Sequence, residues 1–130
     1  MSIEIEGVDH VQLAIPAGRE DEARRFYGGV LGLTEVRKPE PLAARGGCWF
    51  VGAGIHLHLG VEEPFRPATK AHPGLLVTDL VAARAALQSA GVTVREDDVE
   101  IGVDRFYASD PFGNRLEFIA AADRGFTDRS

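Results

Sequence analysis

Short stretches in which apolar and polar residues alternate recur along this chain. They are rich in β-branched and aromatic residues and predict strands at about 8–15, 33–38, 47–51, 54–60, 72–78, 92–96, 103–109 and 114–120. Two stretches carry a helical period instead. The first, about 19–31, opens with Glu20, Asp21 and Glu22 and has Arg24 and Arg25 one turn on. That order suits the helix dipole and i,i+4 pairing. Its apolar face would be Ala23, Phe26, Tyr27, Val30 and Leu31. The second, about 79–90, aligns Leu80, Ala83, Leu87 and Ala90, with Thr78 or Asp79 as its cap and Gly91 just past its end. Each half therefore reads strand, helix, three strands, an α+β class.

The two halves resemble each other in detail. A shift of 59 positions places Gly32 on Gly91, Gly54 on Gly113, Leu57 on Leu116, Leu59 on Phe118 and His58 on Glu117. The opening strands need a shift of 62, which pairs His10 with His72, Leu13 with Leu75 and Ile15 with Val77. The three-residue difference falls in the first strand-to-helix connection, IPAGRE, where insertion costs little. A linker of about 61–71, with two prolines, separates module 1 (about 7–60) from module 2 (about 72–120), and a polar tail, 121–130, follows. All of it is expected to form a single domain, residues 1–130.

Strand alternation sorts the side chains by face. Leu13 and Ile15, Leu57 and Leu59, Leu75 and Val77, and Leu116 and Phe118 form apolar faces that should lie under the helices. His10, Gln12, His56, His58, His72 and Glu117 fall on the opposite parity. The set includes all four histidines of the chain. A single strand histidine is more often solvated than ligating, but four on one parity with one carboxylate make a nitrogen and oxygen donor set. Such a set suits zinc, iron(II), nickel, cobalt or manganese better than calcium or magnesium.

Composition narrows the function further. With 130 residues, 45% hydrophobic and 26% charged, the chain falls in the ordinary globular class. The net charge of −6 is interspersed and builds no basic stripe, which argues against nucleic acid. The lone Cys48, beside Trp49 and Phe50, permits no intrachain disulfide and reads as a buried structural thiol. No basic leader or membrane-length apolar run is present, so a cytoplasmic protein without membrane contact is the default expectation.

The stretch DHVQLAIPAGREDEARRFYGGVLGL resembles the first module of the vicinal oxygen chelate superfamily, which includes glyoxalases, bleomycin-resistance proteins and extradiol dioxygenases. KAHPGLLVTDLVAARAALQSAGV followed by RFYASDPFGNRLEFIA resembles the second. The likeness runs from about residue 7 to 120, and its FYxxxLG and DPxGNxxE motifs are specific to the superfamily but to no one activity. It implies two tandem βαβββ modules forming a curved, cup-shaped eight-stranded mixed sheet with helices on the outer face. It also implies one divalent transition metal held by His10, His58, His72 and Glu117, with His56 as the rival of His58. A homodimer in which modules of two chains complete each site is expected by the same analogy. Where glyoxalase proper has a carboxylate on the fourth strand this chain has His58, which leaves Glu117 as the catalytic carboxylate. If His58 stays off the ion, His10, His72 and Glu117 resemble a two-histidine, one-carboxylate facial set.

Expected contacts to a small-molecule substrate are Gln12, His56, Trp49, Phe106 and Arg115; Trp49, Phe50, Phe106 and Tyr107 together could wall an apolar pocket, although core packing is the stronger reading for most of these four. Arg66, Lys70 and Arg105 are weaker candidates for steering an anion. Asp110, Pro111 and Gly113 read as turn residues. The expected function is Lewis-acid catalysis on a small oxygen-rich substrate. The competing expectation is a metal-free protein that sequesters a small molecule, as bleomycin-resistance proteins do.

Overall fold

Residues 1–96 and 104–123 are described in the structure, a computed structural model. Eight strands run β1 (Val11–Ile15), β2 (Thr34–Val36), β3 (Cys48–Gly52), β4 (Ile55–Val61), β5 (Gly74–Val77), β6 (Val94–Glu96), β7 (Arg105–Ser109) and β8 (Arg115–Ala120). They are hydrogen-bonded as two mixed four-stranded sheets, ordered β1-β4-β3-β2 and β5-β8-β7-β6. The chain divides into two compact units, Met1–Phe65 and Arg66–Ser130, each with one sheet and one helical crossover. The expected strand position at 103 and all but the first residues of the expected tail lie outside the described residues. Among the described residues no helix is long and apolar enough to cross a membrane.

Pairing registers reproduce the internal repeat. In the parallel pair β1–β4, Leu13 lies opposite Leu59 and Gln12 opposite His58. In β5–β8, Leu75 lies opposite Phe118 and Gly74 opposite Glu117. These are the partners that the shifts of 62 and 59 require. The remaining hairpin departs by one residue: Trp49 pairs with His58, whereas Tyr107 pairs with Glu117. The loop of the second hairpin is one residue longer, so Tyr107 is the structural counterpart of Trp49.

Helix ends follow local chemistry. Helix α2 (Leu80–Ser89) starts at Asp79, whose carboxylate accepts from the Ala82 amide at 3.0 Å. At its end Gly91 adopts φ +81°, its amide donates to the Gln88 carbonyl, and the Val92 amide donates to that of Leu87. This is a Schellman closure. Leu87 is buried, but Ala90, expected on the apolar face, is exposed because it already sits in that closure. The first helix is a short α1 (Glu20–Ala23) running into a π-helical segment, Arg24–Val30, in which the Leu31 amide reaches the Phe26 carbonyl. Phe26 and Tyr27 are both buried there, and Tyr27 packs on Phe50 of β3 with ring centres 6.0 Å apart.

As expected, Leu13, Ile15, Leu57 and Leu59 are buried in the first unit, and Leu116 and Phe118 in the second. Cys48 is buried, and burial pushes its thiol up to about 11. The DPFGN turn is a closed network. Asp110 accepts from the Phe112 and Asn114 amides and from the Asn114 side chain, while Asn114 Oδ1 accepts from the Ala68 amide. The turn thereby ties the start of its unit, around Ala68, to β8.

Candidate functional site

In the first unit, the face turned away from the helix carries a three-ring stack. The Trp49 and His58 rings, on paired positions of β3 and β4, lie 3.8 Å apart and 2° from parallel. His10, just before β1, stacks on His58 at 4.1 Å and 19°. Gln12 shares this face, and its side chain lies over Gly60, where any Cβ would meet the Gln12 amide nitrogen at 2.8 Å. The rings border a cavity of about 870 Å³ that also includes His56, Val36 and Val51. Arg37, Lys38 and Arg45, from the segment between β2 and β3, line it as well.

Two features bear on protonation here. Asp9 accepts from His10 Nδ1 at 2.8 Å, and that bond holds its carboxyl below the usual range. A carboxylate can only accept, so Nδ1 carries a proton, and on a neutral ring Nε2 is the nitrogen with the lone pair. Burial, reinforced by His10, pushes His58 below the ordinary imidazole value of 6.5. The folded protein thus favours neutral His58. Its contribution to stability is present above the unfolded value and is lost as pH falls through the folded one. Trp49, the single tryptophan, reports this directly. Protonating the stacked imidazole is expected to quench it with a midpoint below 6.5 in chelator-treated protein, and His58→Asn should abolish that step. A midpoint at or above 6.5 would contradict the stacked, desolvated ring.

In the second unit, Glu117 on β8 is buried between two basic partners. Its Oε1 lies 3.0 Å from His72 Nε2, and its Oε2 accepts from Arg105 Nη1 at 3.3 Å. His72 Nδ1 is 2.8 Å from the Lys70 carbonyl, which can only accept, so Nδ1 is the protonated nitrogen. On a neutral ring, Nε2 then directs a lone pair at the lone pairs of Glu117. A proton or a metal ion has to fill that 3.0 Å gap. Two donors bound at about 2.0–2.2 Å from one ion come about this close when adjacent.

His10 and His72 are repeat partners and share this device: Nδ1 is tied to a local acceptor and Nε2 is left for a ligand. Nitrogen and carboxylate donors with one ring nitrogen anchored fit a transition metal. Among the described residues no three His, Cys, Asp or Glu side chains come together as a group that could hold a metal ion. The first unit offers His10 and His58, the second His72 and Glu117.

The remaining expected contacts separate. Trp49, Gln12 and His56 border the cavity. Arg115 lies over the Tyr107 ring at 4.1 Å, and Tyr107 meets His72 edge-on at 5.5 Å. Phe106 needs correction. It is fully buried on the helix side, stacked on Phe118 at 5.1 Å and covered by Arg84. Adjacent strand residues face opposite ways, so Tyr107 takes the position expected of Phe106. Arg66 and Lys70 are exposed, and Lys70 acts here through its carbonyl. Sequence reasoning missed Arg105 as the partner of Glu117, Asp9 as the anchor of His10, and the three cations of the 37–45 segment. Of these, the adjacency of Asp9 and His10 was readable.

Comparison with known proteins adds the following. Residues 7–118 match the sequence profile of the Glyoxalase/Bleomycin resistance protein/Dioxygenase superfamily. The Arabidopsis thaliana protein "Glyoxylase I 4" is 31% identical over 108 residues, which is 75% of this chain and 62% of that relative. The chain thus spans less than two thirds of that curated relative's length. A crystal structure of a Bacillus anthracis protein assigned to the glyoxalase family superposes with a TM-score of 0.88 at 48% identity, covering 92% of this chain and 98% of its own. The fosfomycin resistance protein FosX of Mesorhizobium loti is similar in fold alone, with a TM-score of 0.70 at 16% identity, covering 97% and 98%.

Proposed function

Because the chain belongs to the Glyoxalase/Bleomycin resistance protein/Dioxygenase superfamily, we propose that it is a metal-dependent enzyme acting on a small, oxygen-rich molecule. The observation that carries this reading is His72, whose anchored Nδ1 turns Nε2 onto a buried carboxylate oxygen at 3.0 Å. The proposed ligands are His10, His72 and Glu117, with His58 as the fourth. The ion would be zinc, iron(II), nickel, cobalt or manganese.

When bound, a divalent ion supplies Lewis-acid stabilisation of negative charge developing on substrate oxygen. The protein's own groups do the rest. His10 and His72 present Nε2 in a fixed orientation, because Asp9 and the Lys70 carbonyl hold their opposite nitrogens. Arg105 restrains Glu117 Oε2, which leaves Oε1 as the atom that binds or moves a proton. Gln12, held over Gly60, offers an amide to a substrate oxygen. The aromatic stack and Val51 exclude water from one side of the cavity.

Metal content by mass spectrometry on protein from metal-supplemented cells tests the reading. About one transition-metal ion per chain is expected, lost in His72→Ala. No ion in the wild type, even after reconstitution, would sink it. The cavity and its aromatic stack would then favour the second reading, a metal-free protein that sequesters a small molecule.

A further inference from the structure

We infer that the cavity of the first unit selects an organic anion with a flat, unsaturated body. This rests on the reading above only in taking that cavity as the place where substrate lies. The chain is acidic, with a net charge of −6, yet this cavity is lined by Arg37, Lys38 and Arg45 against one carboxylate, Asp9. Asp9 is already committed to His10. Neither Arg37 nor Arg45 has an ion-pair partner among the described residues, and both are exposed. Like charges gathered at a concave surface focus potential and draw in the opposite charge. Unpaired guanidinium groups bind carboxylate and phosphate oxygens in bidentate fashion.

The cationic segment is held in place. Lys38 Nζ donates to the Gly46 carbonyl and clasps the two ends of the segment together. The next amide, Gly47 N, donates to Glu20 Oε2 at 2.8 Å and ties it to helix α1. Arg45 closes a 3₁₀ turn, Leu42–Arg45, between these anchors. The same cavity is lined by Val36, Val51 and the half-buried Trp49, already stacked on His58. A cavity lined by apolar and aromatic side chains together with unpaired guanidinium groups on an anchored segment fits a planar ring bearing a carboxylate or phosphate. A neutral sugar or an organic cation does not fit it.

The indole N–H of Trp49 is the single such resonance of the chain and serves as the readout. The full chain is titrated with 2-naphthoate, 2-naphthamide and the saturated decahydro-2-naphthoate, with and without EDTA. The naphthoate should move the indole resonance and bind about tenfold more tightly than the amide, an advantage that salt reduces. It should also bind more tightly than the saturated acid. Arg37→Gln/Arg45→Gln, at two exposed positions, should remove the preference over the amide while leaving the folded spectrum intact. Equal binding of acid and amide, or an unchanged preference in the double variant, would overturn charge selection. Equal binding of the saturated acid would overturn the flat body. A response abolished by EDTA would place the anion on a bound ion and overturn the role of the arginines. Persistence in EDTA keeps this inference separate from the fate of the metal proposal.

Discussion

Glu117→Gln is expected to weaken transition-metal binding by more than about 100-fold while the chain stays folded, as read by competition with a chromophoric chelator. The amide keeps the volume of a buried side chain but loses the anionic oxygen that faces His72 Nε2 at 3.0 Å. Removing a residue that merely orients a ligand costs about 10–100-fold in affinity, and removing the ligand should exceed that. Arg105 provides the internal comparison. It touches Glu117 through Oε2 and not through the oxygen that faces His72. Arg105→Gln should therefore fall within the 10–100-fold range, with unchanged stoichiometry. Equal losses in both variants would mean that Glu117 holds no ion and that the cluster is a structural ion pair.

The largest effect on stability is expected at Gly47. Its φ is +81°, a conformation that residues with a Cβ rarely adopt, and a Cβ there would lie 2.0 Å from the Leu59 carbonyl oxygen. That oxygen belongs to the neighbouring strand β4, so the backbone itself would have to move. Strain and overpacking together should cost on the order of 3–5 kcal/mol, a large share of a domain's total stability. Gly47→Ala should lower Tm by roughly 10 °C or more. Gly46→Ala, with φ +78° but contacts at 3.1 Å only to the ends of the Glu20 and Val61 side chains, should lose less. Gly54→Ala meets nothing within 4 Å and has no positive φ, so it should be near neutral. Thermal melts of the three variants give the ranking. A Gly47→Ala protein that melts within about a degree or two of wild type would contradict the close approach of the strands.

Several features were legible in the sequence because they are local or periodic. Alternation along β1, β4 and β8 placed Leu13, Leu57 and Leu116 inside and Gln12, His58 and Glu117 on the other face. Asp79 and Gly91 marked the ends of α2, since a cap is a matter of adjacent residues. The repeat showed His10 matched to His72, and the strand registers repeat with it. Phe106 was misplaced because it stands beside Tyr107 and only the register of β7 against β8 decides which of the two faces Glu117. The π-helical segment and the 3₁₀ turn at Leu42–Arg45 left no periodic mark.

The sequence by itself thus determined the module, its duplication, and which residues share a face, because side-chain parity follows from backbone geometry within a single strand. Tertiary structure alone decided which of those residues meet. Arg105 reaches Glu117 across two paired strands. His72 is aimed by a carbonyl two residues away, through a turn that sequence does not specify. Arg37, Lys38 and Arg45 join Trp49 at one cavity because Lys38 and Gly47 anchor the segment between β2 and β3. Such meetings depend on register, loop length and hydrogen bonds between distant positions, and none of these has a period that the chain can display.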